Sequence, residues 1–171
     1  MGKMSFHCPG MRGPFTDPAL LGNWAIDWAQ LRYMPDEHVW FLSISANGYE
    51  VCISGDTLRP DPGRLAVAQA VTGRLSELTA KVLGYLDTSL DYGKVGSSGD
   101  WHLEGISFGY DHSQPQDFFD VVLTTDEYGD WNDCELWNVT CSFTKGGNFE
   151  VHGQRGGWYG RYLAEQNSGS D

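Results

Sequence analysis

The stretch Asp61-Pro62-Gly63-Arg64-Leu65-Ala66-Val67-Ala68-Gln69-Ala70-Val71-Thr72-Gly73-Arg74-Leu75-Ser76-Glu77-Leu78-Thr79-Ala80-Lys81-Val82-Leu83-Gly84-Tyr85-Leu86 decides the fold class. Asp61 suits an N-cap, and Pro62 fits the first helical position, where its missing N–H costs nothing. Leu65, Ala68, Val71, Leu75, Leu78, Val82 and Leu86 recur at steps of three and four, which is one apolar stripe on a helix. Gly73 and Gly84 each weaken that helix by about 1 kcal/mol relative to Ala, less than burial of the stripe returns. The pattern predicts one long helix that stops before Asp87.

Upstream, Val39 to Ser45 and Tyr49 to Ser54 are rich in β-branched and aromatic residues. Asn47-Gly48 lies between them. Both central residues of a tight hairpin turn need positive φ, which Asn and Gly tolerate, so the two runs form a hairpin. Further back, Trp24, Ile26 and Trp28 alternate as on one face of a strand, with a short helix as the competing reading. Residues 1–23 are Gly- and Pro-rich and read as an irregular lead-in.

Downstream of the helix, Ser97-Ser98-Gly99 ends a connector, and the rest reads as strand. The candidates are Trp101 to Tyr110, Phe118 to Thr125, Leu136 to Phe143 and Phe149 to Gln154, the last two joined by Lys145-Gly146-Gly147-Asn148. The expected fold is therefore α+β: a mainly antiparallel sheet packed against one long helix. One domain spans residues 24–163, followed by a frayed tail over 164–171.

A chain of 171 residues buries roughly 70% of its unfolded surface without a disulfide or metal staple. Cys8, Cys52, Cys134 and Cys141 have neither zinc-ligand nor redox-motif spacing. No apolar run resembles a signal peptide or a membrane span, so the cytoplasm is the expected compartment and the membrane is not an expected partner.

Net charge is −12, and its placement matters more than its size. Between Val95 and Thr144 stand ten acids and no Lys or Arg, so this segment holds nearly the whole imbalance. Nucleic acid is excluded as an expected partner, because phosphate binding needs clustered cations.

Enzyme signatures are weak. Gly96-Ser97-Ser98-Gly99 lacks the spacing and the strand–helix context of a nucleophile elbow, and there is no phosphate-cradling or dinucleotide motif. His102 with Glu104, and Glu150 with His152, each sit two apart on a strand face. Were those strands neighbours, His102, Glu104 and His152 could hold a divalent ion, which would make the protein a metal-dependent hydrolase. Solvated strand-face residues are the plainer account, and no cofactor or metal is expected.

The strongest local feature is the acidic run Asp126-Glu127-Tyr128-Gly129-Asp130-Trp131-Asn132-Asp133 with Glu135. Its acids miss the alternate-residue spacing of a calcium-binding EF-hand loop. Asp126, Glu127, Asp130, Asp133 and Glu135 around Tyr128 and Trp131 suit a contact surface for a basic protein, aromatics anchoring and carboxylates steering. A solvated loop that keeps the chain soluble is the competing account. A third reading is a structural homo-oligomer that pairs through Trp158, Tyr159 and Tyr162 of the tail.

The hairpin from Trp40 to Ile53, the helix from Pro62, and Glu135-Leu136-Trp137-Asn138-Val139 carry a resemblance. Together they resemble a group of small bacterial domains of unknown function whose members include suspected immunity proteins of polymorphic toxin systems. In that group a hairpin precedes a helix, and a later strand carries a Leu-Trp-x-Val pattern. The resemblance spans residues 24–155. The irregular first 23 residues, the long acidic loop and the aromatic tail depart from it. It implies non-enzymatic inhibition, by binding a toxin and blocking its active site. Immunity proteins diversify at the toxin-facing surface, so it assigns no residue a role.

Overall fold

A computed structural model of the chain describes residues 26–44, 49–89, 101–109, 113–125 and 136–155. The two β-rich runs on either side of Asn47-Gly48 form β2 (Val39–Ile44) and β3 (Tyr49–Ser54), paired antiparallel with Leu42 opposite Val51 and Trp40 opposite Ile53. A short β1 (Arg32–Met34) pairs with β2 and forms one edge. The second half supplies an antiparallel meander, β4 (Trp101–Phe108), β5 (Phe118–Thr125), β6 (Leu136–Phe143) and β7 (Phe149–Arg155). The seven strands make one sheet in chain order.

The hairpin and the meander meet at β3 and β4, which run parallel. A parallel pair cannot be closed by a tight turn and requires a crossover. Two helices lie on this crossover, α1 (Pro62–Thr72) and α2 (Leu75–Ser89). The seam is tight. Gly105 sits opposite Glu50, and a Cβ on it would stand 2.8 Å from the Glu50 carbonyl oxygen, so no larger residue fits without moving a strand.

The expected α+β fold with one long helix is overturned. Among the described residues the fold is predominantly β, a seven-strand and mostly antiparallel sheet with two short helices. The helix begins where expected, with the Asp61 side chain accepting from the Arg64 N–H at 2.8 Å. It breaks at Gly73-Arg74. Thr72 Oγ1 turns back to the Ala68 carbonyl at 2.8 Å, a bond that bends helices, and Gly73 resists bending little. The Arg74 N–H then bonds Val71 O at 3.0 Å in a tightened last turn.

What holds the break is the Arg74 side chain. It donates to the Gly147 carbonyl in the β6–β7 turn, pairs with Glu77 at 2.6 Å, and lies 5.1 Å from the Phe149 ring centre. The apolar stripe continues across the break. Ala68 and Val71 of α1 and Leu75, Leu78, Val82 and Leu86 of α2 enter one core with Val51, Ile53, Ile106, Phe119, Val139 and Phe149 from the sheet.

Of the two readings at Ile26 and Trp28, the strand is corrected and the competing short helix is the one found. Trp28–Gln30 is a 3-10 turn whose Asp27 side chain accepts from the Ala29 N–H at 3.1 Å, and the strand begins later, at Arg32. Trp24, the lead-in 1–23 and the tail 164–171 lie outside the described residues.

Strand alternation puts polar residues on the opposite sheet face, among Phe41, Cys52, Phe118 and Val122. Ser54, Ser107, Asp120, Thr140 and Ser142 fall between core-facing neighbours on β3 to β6.

Candidate functional site

The expected contact residues Asp126, Glu127, Tyr128, Asp130, Trp131, Asp133 and Glu135 lie outside the described residues, but the strands that anchor them do not. Thr124 stands opposite Leu136, and Trp101 opposite Thr125. The connection thus leaves β5 and enters β6 at the end of the sheet where β4 begins. Because β3 runs parallel to β4, the start of β3 lies at that end as well.

The electrostatics of this end are visible at Glu50, near the start of β3. Loss of solvent around it, then the charges of Glu37 and Glu104, raise its carboxyl above the ordinary value, although the residue stays exposed. Three carboxylates therefore share one field near the start of β3, where Glu50 stands opposite Gly105 and Gly105 opposite Val122.

The condition for a shared metal site is not met. β4, with His102 and Glu104, is separated from β7, with His152, by β5 and β6. At about 4.8 Å per strand, that is roughly 14 Å. Glu104 falls at a register shift between Leu103 and Gly105. His152 instead shares a 2.7 Å hydrogen bond with Ser142 Oγ and stacks on Phe118, ring centres 4.6 Å apart. Ser142 is 3% exposed, so this hydroxyl ties β6 to β7. Among the described residues no group of three or more His, Cys, Asp or Glu is placed to hold a metal ion.

Two thiols can be placed. Burial pushes both Cys52 and Cys141 up to about 12, with the charge of Glu50 adding to the first and that of Asp120 to the second. At neutral pH each is a thiol, which is a poor nucleophile.

At the middle of the sheet face opposite the helices Asp120 is 7% exposed. Thr140 Oγ1 donates to it at 2.7 Å and Gln114 Nε2 at 3.0 Å. The backbone carbonyl of Gln114 in turn accepts from Arg64 Nη2 at 2.7 Å, which links this face to the helix. Two side-chain donors hold this carboxyl group in place.

The sequence reading missed a second feature, at the opposite end of the sheet. After Ser54 the chain folds on itself: Gly55 bridges Pro60, and Asp56 Oδ1 accepts from the Leu58 and Arg59 N–H groups at 2.8 and 2.9 Å. Trp40 Nε1 donates to the Asp56 carbonyl at 2.8 Å. This locked turn displays Leu58, 86% exposed, and walls a cavity of about 440 Å³. Arg59, Asp61 and Arg64 also line the cavity. The signal available in the sequence was Asp56-Thr57-Leu58-Arg59-Pro60-Asp61, an Asx-turn and a Pro ahead of a helix cap.

No family model, no curated protein and no solved structure matches this chain. Among the described residues no helix is long and apolar enough to cross a membrane.

Proposed function

We propose that this protein is a non-catalytic binding protein that captures a basic protein partner at the acidic end of its sheet. The observation that carries the reading is the coincidence of charge and topology. The segment 95–144 has ten acids and no Lys or Arg, and its densest run is anchored at the end of the sheet where β3 begins, with Glu50 its second residue. Such a field steers a cationic surface and speeds encounter, with Tyr128 and Trp131 as aromatic anchors. In its most specific form the protein is a cytoplasmic bacterial immunity protein, and the partner is a toxin whose substrate-binding face is positive.

The test is a pull-down from lysate of the source organism, at low and at roughly physiological salt. Wild type is compared with a variant in which Asp126, Asp130 and Asp133 become Asn, and Glu127 and Glu135 become Gln. A basic protein retained by wild type and released by the variant supports the reading. Equal retention by both removes the loop from the binding surface.

A further inference from the structure

The sheet has two outer strands, and among the described residues each has a neighbour on one side only. β1 is three residues long, but β7 runs for seven and presents a longer row of backbone groups. Such a row is a template for an added strand. The ladder fixes the direction of those groups. The Phe143 N–H bonds the Asp117 carbonyl at 3.0 Å, on the β5 side of β6, so Phe143 and its register partner Phe149 exchange no backbone bonds. Phe149 and Val151 therefore turn their N–H and C=O groups outward, while Glu150 turns its own toward Ser142.

One of the outward groups is taken. Lys81 Nζ, from α2, donates to the Phe149 carbonyl at 2.9 Å. Arg74, one residue before α2, donates to the Gly147 carbonyl in the turn that leads into β7. Farther along, Cys141 faces Val151 but Thr140 faces Gly153, which leaves His152 out of the ladder. A register shift of this kind ends a regular edge. The straight part of the edge is thus Phe149 to Val151, and Lys81 sits on it.

We infer that Lys81 is a latch that closes the β7 edge to strand addition by a second copy of this chain. Symmetry selects the occupant. Antiparallel pairing of two β7 edges about a two-fold axis at Glu150 sets Phe149 of each copy against Val151 of the other. Each of those pairs needs a Phe149 carbonyl as acceptor, the group that Lys81 holds. The same axis places Glu150, an exposed residue, opposite its own mate, and like charges directly opposite disfavour pairing. Lys81 and Glu150 thus oppose one contact in two ways.

The experiment is sedimentation velocity of the full chain over a wide range of concentration, together with amide hydrogen exchange. Wild type is expected to sediment as a monomer, with the outward Val151 N–H exchanging faster than the inward Glu150 N–H. K81M and K81M/E150T should shift from monomer to dimer, the double variant at lower concentration, with Val151 becoming protected as the dimer forms. K81R keeps a donor and should remain monomeric. Equal protection of Val151 and Glu150 in wild type means that the edge is already paired and overturns the proposal, whether or not a variant folds. Monomeric behaviour of both folded variants overturns it too, as does dimerisation without protection at Val151.

Discussion

Gly109 lies directly against the Arg64 guanidinium. A Cβ built on it would stand 2.4 Å from Arg64 Cζ, and its φ of 81° lies where L side chains are strained. The end of β4 is thus shaped around a side chain from α1. Replacing Gly109 by Ala should cost on both counts, about 2–4 kcal/mol in urea unfolding, summing backbone strain and overpacking. In an R64M background the clash is gone and only the backbone part should remain, about 1–2 kcal/mol. Equal losses in the two backgrounds would show that the two residues do not press on each other.

Arg74 does more for this fold than its ion pair suggests. Both Arg74 and Glu77 are more than one third exposed, so E77Q should cost less than about 0.5 kcal/mol. R74A removes the bond to Gly147 and the contacts with Phe143 and Phe149 as well, and should cost about 1–3 kcal/mol. Chemical unfolding of the two variants side by side checks this, and similar losses would reduce the clamp to its ion pair.

The acid limb of the stability profile should carry two opposing contributions. The Glu50 carboxyl is raised, so its ionised form disfavours the native state at neutral pH, and that effect fades as pH falls through its native value, above 4.5. Asp61 is lowered, first by the Arg64 N–H, so its support is present above 3.8 and is lost as pH falls through its native value. E50Q should therefore be slightly more stable than wild type at pH 7 and equal to it below about pH 4. D61A should be less stable at pH 7, by about 0.5–2 kcal/mol for a lost cap, with the gap narrowing at lower pH. Urea midpoints between pH 3 and 8 give both differences, and gaps that do not change with pH would sink the assignment.

Much of the sheet was legible because its physics is local. Strand alternation placed β4 to β7 within a few residues, and the two β-rich runs on either side of Asn47-Gly48 are the observed β2 and β3. The helix start was legible for the same reason, since Asp61 and Pro62 act on the first turn alone. The break at Gly73-Arg74 was not legible. Val71 and Leu75 are four apart, so the stripe keeps its spacing through the break. The contact that holds it reaches a partner 73 residues away, Gly147, which periodicity cannot report. The Arg64 cavity was hidden likewise, because Arg64 meets Gly109 and Gln114 only after folding. The acidic run was conspicuous as composition, while Glu50 and Glu104 come together only across the parallel seam.

That seam has a consequence for how the chain reaches its fold. Every strand pairs with its neighbour in the chain, but between β3 and β4 lies the whole helical crossover, so these two meet only once it is spanned. Non-local closure is slow, so the hairpin and the meander form ahead of it as separate pieces. Until they zip, each displays a strand edge to the surrounding solution. The period before closure is when this chain is most exposed to pairing with another copy of itself instead.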